Sequence, residues 1–98
     1  MSVDIITLRG YLEKMIDLQL SKENLVSMHT MFEALRPAVS NRESAIFGYI
    51  VGRLVASVWS VIYTIAKREL TQEETKEVVE TILRRSLEIR NRIMETST

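Results

Sequence analysis

Ninety-eight residues fit one domain with one core, since a chain of this size buries only about 65% of the surface its unfolded form exposes. Thirteen basic residues balance thirteen acidic ones, which excludes a long-range field drawing the whole chain to nucleic acid or anionic lipid. Cysteine is absent, so disulfides, thiolate nucleophiles and zinc–thiolate sites are excluded too.

In the opening "MSVDIITLRG", Asp4 and Arg9 interrupt the apolar run that a signal peptide needs, and a cytoplasmic chain is expected. Little Gly and Pro against abundant Ile, Val, Leu, Glu and Arg predict an all-α, four-helix bundle-like domain over residues 1–98. Helices are expected over about 3–20, 22–36, 41–70 and 72–95, the long third one central. Heavy use of Arg and Glu leans toward a thermophilic source.

Ser2, with Asp4 in the following turn, marks the first helix start. Ile5, Leu8, Leu12 and Met15 form its apolar stripe, flanked by Tyr11 and Ile16. Ser21 followed by Glu23 marks a second start without Gly or Pro nearby, so residues 3–36 read as two helices or as one bent helix. The second stripe is Leu25, Met28, Phe32 and Leu35. Pro37 disfavours helical geometry at Arg36, which makes "RPAVS" a linker. His29 is the only histidine and has no second strong ligand at a defined spacing, so it reads as a surface or half-buried structural residue.

"SNRE", Ser40 to Glu43, has capping-box spacing and opens the third helix. Phe47, Val51, Leu54, Val58, Val61 and Ile65 follow the 4-3-4-3-4 seam spacing of packed helices, widened by Ile50, Val55 and Ile62. At roughly 100° per residue the opposite face gathers Tyr49, Arg53, Ala56, Ser57, Ser60 and Thr64, with Gly52 and Tyr63 at its edge. The segment is long enough to cross a bilayer. Sorting of large from small residues, the charge of Arg53 and three hydroxyls disfavour that use.

Ser44, Gly48, Gly52, Ala56, Ser60 and Thr64 recur every fourth residue as a ladder of small side chains. Glycine inside a helix costs about 0.5–1 kcal/mol relative to alanine, so two of them four apart predict a close approach. The approaching backbone is either another helix of the same chain or the third helix of a second copy in a symmetric dimer. The candidate interface is Gly48, Tyr49, Gly52, Arg53, Ala56, Ser60 and Tyr63.

"TQEE", Thr71 to Glu74, is a second capping box and opens the fourth helix, whose stripe is Val79, Ile82, Ile89 and Ile93 with Ser86 in the slot between. Glu73, Glu74 and Glu77, or Glu13 with Asp17, are spaced to hold Mg²⁺, although acidic residues in a first turn suit the macrodipole alone. Arg84, Arg85 and Arg92 with Asn91 offer a phosphate-contacting patch. Glu80, Arg84, Glu88 and Arg92 alternate in sign at four-residue steps, so mutual pairing on a solvated face is expected instead.

"NRESAI" and "ILRRSLEIR" resemble segments of the all-helical chorismate mutases, over about a fifth of the chain. The resemblance implies a small dimeric helical enzyme that clamps a dicarboxylate. It would place Arg9 as the first-helix arginine and Arg42 with Glu43 as the loop-proximal pair. Arg90 stands where that family carries glutamine, no first-helix lysine matches, and the long first helix is broken near Ser21. The function expected from the residues is a non-catalytic interaction or scaffold protein acting as a homodimer, without catalytic, cofactor or metal residues. Nucleic-acid association through Arg84, Arg85 and Arg92, and a chorismate-mutase-like activity, are the alternatives.

Overall fold

A computed structural model describes residues 4–97, and every regular element among them is an α-helix: α1 (Ile5–Gln19), α2 (Lys22–Ala34), α3 (Arg42–Ala66) and α4 (Gln72–Glu95). Asp4 caps α1 by accepting from the Ile6 amide; Ser2 lies outside the described residues. Residues 5–34 form two helices. Ser21 is extended there and its hydroxyl accepts from the Asn24 amide at 3.3 Å. Asn24 in turn donates to the Leu18 carbonyl at 2.8 Å, and Arg92 of α4 donates to the Leu20 carbonyl at 3.1 Å. Polar side chains thus satisfy the backbone groups that the break exposes, and no glycine is needed.

The "TQEE" box forms: Thr71 accepts from the Glu74 amide at 3.1 Å and Glu74 accepts from the Thr71 amide at 2.9 Å. The "SNRE" box does not. Asn41, as good a cap as serine, accepts from the Ser44 amide at 3.0 Å and starts α3 one residue later. α2 ends at Ala34 and α3 at Ala66, both short of the ends expected. Lys67 terminates α3 in the left-handed region at φ 58°, its N–H bonded to the Tyr63 carbonyl at 2.9 Å. Since only glycine sits there without a Cβ penalty, Lys67→Gly is expected to raise stability by about 0.5–1 kcal/mol. Urea midpoints read this directly, and an unchanged midpoint would mean that contacts of the lysine side chain offset the backbone strain.

α3 and α4 fold back on each other as an antiparallel hairpin, with Arg90 of α4 lying over the Phe47 ring of α3 at 4.7 Å. α1 runs antiparallel to α3, joined through Tyr11 to Ser57 at 2.6 Å and Gln19 to the Ile50 carbonyl at 3.3 Å. It is therefore parallel to α4, which it meets through Arg9 with Glu77 and Glu13 with Arg85. α2 covers the remaining end of the hairpin: Phe32 meets Tyr49 edge-on at 5.7 Å, and Glu33 pairs with Arg42 at 2.8 Å. His29, only 8% exposed and so more buried than expected, donates to the Ile93 carbonyl at 2.9 Å. The result is elongated, 45 × 23 × 20 Å.

Three stripes differ from the sequence expectation. On α3 the buried row is Ile46, Ile50, Leu54, Val58 and Ile62, every fourth residue. Such a row turns about 40° per step around the helix, following the cover as it passes from α2 at one end to α1 at the other. Val55 and Ile65, expected inside, are 40% and 52% exposed as a result. Leu35, expected on the second stripe, caps the end of α2 and is exposed. On α4 Val79 is exposed, and Glu74, Glu77 and Thr81 are buried in the first half.

Candidate functional site

α3 buries that winding row, while Gly52, Val55, Ala56, Trp59, Ser60 and Tyr63 on another side of it are exposed. Gly52, Ala56 and Ser60 floor a shallow valley of about 650 Å³, walled by Val55, Trp59 and Tyr63. Trp59 and Tyr63 are one turn apart with rings stacked at 6.0 Å and 3°, and they remain 45% and 53% exposed. Towards α2, Tyr49 rests against Phe32 and carries the Arg53 guanidinium 5.5 Å from its centroid.

A Cβ built on Gly48 or Gly52 meets nothing within 4 Å among the described residues. The expectation that another helix of the same chain crosses these glycines is thereby overturned: α1, α2 and α4 all approach α3 from elsewhere. Gly52, Ala56, Ser60 and Tyr63 of the candidate set share the valley, whereas Gly48, Tyr49 and Arg53 lie outside its lining. Sequence reading missed Trp59 and placed Val55 on the inner face. Their signal was present: Val55, Trp59 and Tyr63 recur every fourth residue, beside the ladder of small ones.

The charged candidates are engaged inside the fold. Arg9 grips Glu77 with two bonds of 3.0 and 2.9 Å, and Thr81 donates to the same carboxylate at 2.9 Å. The Arg9 bonds, opposed by burial and helped by Thr81, hold the Glu77 carboxyl at about 2. Arg68 likewise grips Glu74 at 2.8 and 2.9 Å, and these bonds, opposed by burial and aided by the Thr71 amide, hold it at about 2. Two of the three acidic residues suggested for Mg²⁺ are therefore neutralised by arginines, and no group of three metal-type ligands converges among the described residues.

Of the patch suggested for phosphates, Arg85 contacts Glu88 at 2.6 Å, Asp17 at 2.7 Å and the Glu13 carbonyl at 3.2 Å, with its side chain 13% exposed. Hydrogen bonding to Glu88 first, then to Asp17, raises its pKa further above the ordinary arginine value. Arg92 bonds the Leu20 carbonyl and Glu95, and Arg84 reaches Thr81. The expected four-residue charge ladder gives way to three-residue pairs and to bonds that tie α4 onto α1. The arginines implied by the chorismate-mutase resemblance do not converge either. Arg9 sits by Glu77 near the start of α4 and Arg42 by Ser97 beyond its end, about 27 Å or more apart along the helix.

α3 is the helix, among the described residues, that is long and apolar enough to cross a membrane by length and composition, and 28% of its most apolar window is buried within the chain. No family model matches this chain, and no curated protein or solved structure matches it with significance.

Proposed function

We propose that this chain is a non-catalytic helical interaction module that works as a homodimer, α3 of one protomer laid across α3 of its partner. The observation that supports the reading is the outer face of α3, where Trp59, Tyr63 and Val55 stand half-exposed around a floor of small residues, with nothing among the described residues within 4 Å of a Cβ built on Gly52. Apolar area left in water forfeits about 25 cal/mol per Å², and helical glycine adds its own penalty. Close packing of a second backbone on the floor removes the first and offsets the second. A two-fold axis places the same patch on each side, so the aromatic wall of one copy packs on the small residues of the other.

Gly52→Leu tests this. Its Cβ has open space in the monomer, so helical circular dichroism is expected to persist. The sedimenting mass is expected to fall from twice 11.3 kDa to 11.3 kDa at micromolar protein, with the dissociation constant raised at least about tenfold. Gly10→Ala, equally open but on α1, serves as control and is expected to stabilise the fold by about 0.5–1 kcal/mol without changing mass. A wild-type monomer, or an unchanged mass for Gly52→Leu, would refute the proposal.

A further inference from the structure

A second exposed apolar row borders the first. On α4, Val79, Leu83 and Leu87 recur every fourth residue and Met94 continues them, with exposures of 49%, 66%, 71% and 60%. At about 100° per residue these four and Arg90 fall within some 80° of one another. α1 meets the other edge of α4, through Glu77 and Arg85. The row instead adjoins α3, because Arg90 lies over Phe47, and Arg90 and Met94 line one crevice with Glu43 and Ser44. At about 100° per residue, Val55 and Trp59 follow Phe47 and Ser44 around α3 and are exposed. Both helices of the hairpin thus turn an apolar flank to the same side, away from α1.

The chain exposes more surface than its mass alone requires. It exposes 6356 Å², whereas a folded monomer of 11.3 kDa exposes about 5,700 Å². The excess of roughly 600 Å² approaches the about 800 Å² that each partner buries in a stable dimer. Its radius of gyration, 14.6 Å, likewise exceeds the about 12.6 Å of a compact chain of this length. Both values leave surface for a partner to cover.

We infer that the occupant is a second copy, laid face to face so that α3 and α4 of both protomers form a four-helix core with each α1 outside it. This rests on the dimeric reading above and extends the interface from one helix to two.

The test is the double variant Leu83→Arg, Leu87→Arg, studied by sedimentation equilibrium beside wild type and Gly52→Leu. Both leucines are exposed in the monomer, so helical content is expected to persist while the dissociation constant rises about a hundredfold or more. A milder pair, Leu83→Ser with Leu87→Ser, reads the same constant should arginine disturb the helix. If Gly52→Leu dissociates the dimer and both α4 pairs leave its constant unchanged, α4 is outside the interface and the inference falls while the α3 reading stands. A monomeric wild type that floats with anionic phospholipid vesicles, and is released by the double variant, would overturn both.

Discussion

Between pH 4.5 and about 2 the unfolded chain is expected to bind up to two more protons than the folded one, so stability falls steeply as acid is added. Both protons belong to buried carboxylates. Glu74 and Glu77 are 3% and 5% exposed, and Arg68 and Arg9 hold them at about 2 against an ordinary 4.5. A depressed folded-state pKa contributes stability that is complete above 4.5 and is lost as pH falls through about 2, because protonation then favours the unfolded chain. The slope of unfolding free energy against pH counts the protons directly. Glu77→Gln is expected to remove one of the two from that slope and to lower the neutral-pH midpoint, because Arg9 then faces an uncharged amide. The two sites brace different joints: Glu74 holds the turn between α3 and α4 through Arg68, and Glu77 holds α1 through Arg9. An acid slope unaltered in Glu77→Gln would assign the transition to other carboxyls.

These buried carboxylates mark where sequence reading stopped. Local rules read well: "TQEE" forms its capping box, the break at Ser21 is real, and α4 has the bounds expected. Local ambiguity explains the miss at "SNRE", where two cap-forming residues adjoin. The stripe on α4 failed for another reason. Apolarity alone put Val79 inside, but the inward positions are held by Glu77 and Thr81, made tolerable by Arg9, 68 residues away in sequence from Glu77. No window on α4 contains that partner. The α3 stripe failed for a third reason, since seam spacing assumes one straight neighbour and α3 has α2 over one end and α1 over the other. The ladder of small residues was legible as a place of approach. Which backbone approaches was not, because three helices of one chain can pack on either side of a two-sided helix.

That two-sidedness has a sharp test in adjacent residues. Leu54 is 1% exposed at the middle of the buried row, and Val55 is 40% exposed on the valley wall. Leu54→Ala is expected to cost about 2–5 kcal/mol, since it removes transfer energy and leaves a cavity in the buried core. Against the roughly 5–15 kcal/mol that a domain commands, this lowers the melting midpoint by on the order of 10–40 °C at every protein concentration. Val55→Ala is expected to change monomer stability by no more than about 0.5 kcal/mol. Its effect should grow only where wild type is dimeric, because association adds stability by mass action to the folded state alone. Midpoints of both variants across a range of concentrations separate the two faces. A Val55→Ala loss as large as that of Leu54→Ala in dilute protein would mean that α3 presents its valley to its own chain, and the proposed interface would have no surface on which to form.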